Sequence, residues 1–79
     1  MNIYLLEQYD SNSYDTYDSM VVYASSKDDA RLMLPSEFSK FEYNGSWATC
    51  PENVKVTKIG NALPGIDVPG IILASFNAG

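Results

Sequence analysis

The chain has no histidine and one cysteine, Cys50, among its 79 residues. Without histidine, Ser-His and Cys-His nucleophilic arrangements are excluded, and so are zinc sites built from Cys and His. A lone cysteine closes no intramolecular disulfide, so the chain is not a stapled secreted scaffold, and a reducing cytosol is the expected setting. Basic residues are scarce: five Lys and Arg stand against ten Asp and Glu, for a formal charge of −5. That balance repels nucleic-acid phosphates and argues against direct DNA or RNA binding. It favours a basic protein surface, including one that normally holds nucleic acid. Long apolar runs are missing too. Stretches such as residues 71–74 are far too short to span a bilayer, and residues 1–6 lack the basic flank of a signal peptide, with Glu7 interrupting the run. No Gly-rich phosphate loop is present, because Gly65 and Gly70 stand beside prolines rather than between a strand and a helix.

What is present suits one small domain over residues 1–79, near the lower size limit for a self-standing core. Apolar residues make up 46% of the chain, which separates it from compositionally disordered sequences. Residues 1–8 (MNIYLLEQ) read as a first strand and residues 20–25 (MVVYAS) as a second, joined by a polar connection dense in Ser, Asn and Asp. Residues 26–34 read as a short helix. Ser26 is suited to the N-cap, Asp28 and Asp29 to the positive end of the dipole, and Ala30, Met33 and Leu34 share a face before Pro35 stops it. Residues 36–52 read as a short helical turn, with Phe38 and Phe41 at helical spacing, then an Asn44-Gly45 turn and a loop folding back with Trp47 as anchor. Residues 53–60 form a third strand, in which Val54 and Val56 alternate with Lys55 and Thr57. Residues 61–70 hold two Pro-Gly pairs, each fitting the centre of a type II turn. Residues 71–77 are the fourth strand, and Ala78 and Gly79 are expected to fray.

The order β-β-α-β-β predicts an α+β fold: a small antiparallel four-stranded sheet with one short helix packed on one face. Three strands are apolar on both faces, Ile3 and Leu5 opposing Tyr4 and Leu6, Val21 and Tyr23 opposing Met20 and Val22, and Ile71 and Leu73 opposing Ile72 and Phe76. The third strand alternates cleanly and is therefore the expected edge. So short a helix covers one face only. The second face awaits the residue 38–47 segment, another copy of the chain, or a partner, with the segment the expected cover.

Candidate sites follow from the same residues. Cys50 precedes Pro51 in a loop, where a partly buried, inert thiol is the usual case. Asp10, Asn12, Tyr14 and Asp15 echo the start of a calcium loop, but the Gly and the acidic residue required at its sixth and twelfth positions are replaced by Asp15 and Val21, so no metal or other cofactor is expected. Most distinctive are three Tyr-Asp pairs, Tyr9-Asp10, Tyr14-Asp15 and Tyr17-Asp18. They read equally as a solvated hairpin loop or as a partner-binding surface, in which tyrosines supply contact area and aspartates steer toward a basic surface. Tyr4, Tyr23 and Trp47 are further interface candidates. Lys40, Lys55 and Lys58 read as ordinary surface charges, and lysines on an edge strand also discourage edge-to-edge pairing.

The opening IYLLE, the block YDTYDSMVVYASSKDDAR and the closing GIILASFNAG resemble small proteins encoded by tailed bacteriophages. The resemblance covers both ends of the chain and is weak over residues 36–52. It implies an accessory phage protein in a bacterial host cytoplasm and brings no catalytic residues with it. Phage proteins of this size and charge include inhibitors of host machinery, anti-CRISPR and other anti-defence proteins among them. The expectation is thus a non-catalytic protein that binds a bacterial host protein with a basic surface. The alternative is a self-associating phage assembly module, a homodimer in its simplest form.

Overall fold

The Ile, Tyr and Leu residues near the N-terminus, all suited to a pleated, half-buried surface, form strand β1 (Asn2–Glu7). In the computed structural model, which describes residues 1–12 and 14–77, it is followed by β2 (Thr16–Ala24), helix α1 (Lys27–Arg31), β3 (Lys55–Asn61) and β4 (Gly70–Asn77). The four strands form one antiparallel sheet in the order β3-β1-β2-β4. The clean alternation of β3 does mark an edge. The other edge is β4, although its sequence is apolar on both faces. The expected fraying of Ala78 and Gly79 lies outside the described residues.

β2 begins at Thr16, four residues before the expected start. The polar residues Thr16, Asp18 and Ser19 enter the sheet because β4 supplies partners for this end, pairing Asn77 with Thr16 and Phe76 with Tyr17. Helix α1 is shorter than expected. Ser26 caps it as read, its Oγ accepting from the Asp29 N–H at 3.2 Å. The helix ends at Arg31, where the Leu32 N–H turns back to the Asp29 carbonyl and the Met33 N–H to Ala30. These tighter bonds close the last turn and free Met33 and Leu34 to pack beside the core. A 3-10 turn at Pro51–Asn53, unforeseen in the sequence, leads into β3. Of the two Pro-Gly pairs, only Pro64-Gly65 makes the expected turn: Gly65 has φ +100°, and the Ile66 N–H reaches the Leu63 carbonyl at 3.3 Å. Gly70 instead pairs with Tyr23 as the first residue of β4.

The core lies on one face of the sheet. Tyr4, Leu6, Met20, Val22, Ala24 and Val56 project to that side and are buried under Ala30 of the helix and under Trp47, Ala48 and Val54. Trp47 is fully buried, so it anchors its segment as read. The side it covers is a correction. The helix and the residue 36–52 segment pack on the same face, and the face bearing Ile3, Leu5, Val21, Tyr23 and Leu73 is left open. The reason is connectivity. The segment returns to the start of β3 beside Glu7, with the Arg31 guanidinium holding the Val54 carbonyl and the Ser46 carbonyl accepting from the Tyr17 N–H at 2.8 Å. Tyr4 and Trp47, expected at an interface, are core residues and offer no surface. Tyr23 is partly exposed on the open face.

Candidate functional site

The connection between β1 and β2 carries most of the Tyr-Asp tract, and its first part, residues 8–11, is tied down by hydrogen bonds. Gln8 is the organiser. Buried at the end of β1, its Nε2 donates to the Ser11 carbonyl at 2.6 Å and to the Tyr17 carbonyl at 2.7 Å, while its Oε1 accepts from the Ser11 N–H at 2.9 Å. Ser11, also buried, donates from Oγ to the Trp47 carbonyl. The loop is thereby fastened to the core segment on one side and to its own hairpin on the other. Nothing in the sequence singled out Gln8 or Ser11. The only hint was a lone amide at the point where an apolar strand meets a polar run.

The three Tyr-Asp pairs play different parts. One oxygen of Asp10, Oδ2, accepts from the Thr49 N–H at 2.9 Å and from Asn53 Nδ2 at 3.0 Å. These bonds to the charged form, the backbone one foremost, lower its pKa below the usual Asp value. Asp18 accepts from Asn77 Nδ2 at 2.5 Å, joining β2 to the end of β4. The ring of Tyr17 lies 4.8 Å from that of Phe76, tilted by 55°, and packs beside the core. Asp10, Tyr17 and Asp18 are thus tied into the fold. Asp15 is exposed and sits at φ 61°, its N–H donating to the Asn77 carbonyl at 2.6 Å. Tyr9 and Tyr14 stand clear of the body, 73% and 76% exposed. The Tyr9 hydroxyl donates to Glu7 Oε2 at 3.1 Å, and this bond, with the nearby carboxylate charge, raises the phenol pKa.

At the base of the loop is a cleft of about 260 Å³, lined by Glu7, Gln8, Tyr9, Ser11, Asn12, Asp18 and Ser19. Ligand sites for drug-sized molecules run from roughly 300 Å³ upward, so this cleft matches a single protruding side chain. With Glu7 and Asp18 among its walls, it suits a cationic one. Cys50 is half-buried, and its carbonyl accepts from the Asn53 N–H in the 3-10 turn. Among the described residues no three His, Cys, Asp or Glu side chains gather where they could hold a metal ion. No described helix is long and apolar enough to cross a membrane. Comparison of the chain with protein-family models, curated proteins and solved structures finds no match.

Proposed function

We propose that the protein works by binding, without catalysis, and that the β1–β2 loop and the acidic cleft at its base dock onto a basic protein surface. The observation that carries this reading is the contrast within one loop. Its first part is held by hydrogen bonds of the Gln8, Asp10 and Ser11 side chains, while Tyr9 and Tyr14 project into solvent. A merely solvated connection has no need of such fastening. A pre-ordered loop loses little entropy on docking, and exposed tyrosines on it provide contact area at low cost. The cleft then receives an Arg or Lys side chain between Glu7 and Asp18, and the net charge of −5 steers the encounter. The partner we favour is a bacterial host protein, with the chain as a phage-encoded inhibitor. That part rests on the resemblance of the two chain ends to phage proteins.

The test must spare Asp10 and Asp18, since charge reversal there breaks hydrogen bonds that hold the loop. Tyr14→Ala removes only an exposed ring. In affinity capture from bacterial lysate, Tyr14→Ala combined with Tyr9→Ala is expected to reduce recovery of a basic partner at least tenfold with the thermal midpoint unchanged. Equal recovery by wild type and the double variant would overturn the loop as the binding surface.

A further inference from the structure

The open face of the sheet can be followed row by row from strand register. At the loop end, Lys55, Glu7, Ser19 and Ser75 lie side by side across β3, β1, β2 and β4. The middle row is Thr57, Leu5, Val21 and Leu73. The far row is Gly60, Ile3, Tyr23 and Gly70. Alternation along β1 and β2 puts Glu7, Leu5, Ile3, Ser19, Val21 and Tyr23 on the side away from the core, and pairing extends the rows into β3 and β4, with a register shift before the far row in each. The centre is uncharged and largely apolar, with Leu73 68% exposed, and the far row ends in a glycine at each edge. The only charges in the three rows are Glu7 and Lys55, both in the loop-end row, and the middle and far rows carry none.

We infer that a second copy of this chain covers this face, the two sheets stacking open side to open side. Two features of the face select that occupant. The first is charge. Two copies each carrying −5 repel most where acidic surface meets acidic surface, and contact through the uncharged middle and far rows keeps those surfaces apart. Those two rows give a basic partner nothing to pair with, and in this they differ from the acidic loop and cleft, proposed above to bind one, which meet the face only at its loop-end row. The second feature is shape. The complement needed is a broad, twisted, apolar sheet face. The chain itself carries one, and stacked sheets approach to about 10 Å with interdigitating side chains. A two-fold axis near Leu5 and Val21 sets Leu73 of each copy against the face of the other. Pairing through the β4 edge is disfavoured by the register shift between Val21 and Val22, which breaks its regularity, and the β3 edge carries Lys55 and Lys58.

The area sets the strength. Four strands about 4.8 Å apart and six residues of about 3.3 Å give a footprint of roughly 400 Å² per copy. That is about half of the ~800 Å² per partner typical of stable complexes. The pairing is therefore weak and concentration-dependent, with dissociation in the micromolar range or above. Added salt strengthens it by screening the residual repulsion between copies.

Sedimentation of the full chain from micromolar to millimolar concentration tests the inference, with three variants at exposed positions that spare the core. Leu73→Lys and Thr57→Lys lie at opposite edges of the same face, and Leu63→Lys is a loop control. The expected result is a monomer–dimer equilibrium in wild type and in Leu63→Lys, weakened at least tenfold by both Leu73→Lys and Thr57→Lys. A monomer throughout the range overturns the inference, and so does a dimer indifferent to both face variants. Weakening by Leu73→Lys alone overturns face stacking in favour of β4 edge pairing. A monomer that still captures a basic protein through Tyr9 and Tyr14 overturns this inference and leaves the loop-binding function standing.

Discussion

The carboxylate of Asp10 belongs to a repeated dipeptide, yet its hydrogen bonds to Thr49 and Asn53 give it a role its repeat mates do not share. Its lowered pKa sets a direction for stability. In the folded chain Asp10 holds its proton less tightly than in the unfolded chain. Its contribution is therefore complete above the ordinary Asp value of about 3.9 and disappears as pH falls through the lower folded value. Asp10→Asn keeps the shape and removes the charge. Denaturant titrations are expected to show the variant less stable than wild type near neutrality, with the gap closing as pH falls below the ordinary Asp value. A gap independent of pH would mean that the charge of Asp10 contributes nothing. Residue chemistry of this sort was only half legible. The Tyr-Asp repeat was visible, but which Asp has a partner depends on Thr49 and Asn53 for Asp10 and on Asn77 for Asp18, all some forty to sixty positions away.

At the scale of elements, local signals held where the local chain made the decision. Ser26 caps α1 and Pro64-Gly65 turns because each depends on neighbours within three residues. Boundaries set by distant partners were misread. β2 runs back to Thr16 because β4 reaches that far, and Gly70 joins a strand because Tyr23 pairs with it. The two glycines make this distinction measurable. An added Cβ meets nothing within 4 Å at either position, so only backbone conformation separates them. Gly65→Ala forces a side chain into φ +100° and is expected to cost about 1–2 kcal/mol. Gly70→Ala is expected to be neutral, or to stabilise by up to about 1 kcal/mol by restricting the unfolded chain. In a domain of this size the two variants should differ in thermal midpoint by roughly 4–8 °C or more, read by calorimetry or circular dichroism. Equal midpoints would deny the turn its strained geometry.

For the molecule as a whole, one core supports everything and Trp47 is its largest fully buried side chain. Its indole N–H is buried with no acceptor among the described residues. Trp47→Phe therefore removes an unsatisfied donor along with some volume, and a loss of about 1–2 kcal/mol is expected. Trp47→Ala empties the centre of the covered face and should cost about 3–5 kcal/mol, much of the stability available to so small a domain. Denaturant midpoints of the two variants decide the matter. Similar losses for both would mean that the ring is not what closes the core.

From the sequence alone came the strands, the capped helix, the net charge of −5, and a tyrosine-rich acidic connection near its start. These follow from residue type and short-range spacing, which act before any long-range contact forms. The tertiary structure decided which face is covered. Alternating apolar residues qualify both faces of β1, β2 and β4 equally, and a period of two carries no preference between them. The choice fell to the path of residues 32–54, which return over the helix-bearing side to start β3 beside Glu7. That path buries Trp47, leaves Leu5, Val21 and Leu73 facing outward, and sets the acidic loop at one end of the open face, where Glu7 and Ser19 belong to both.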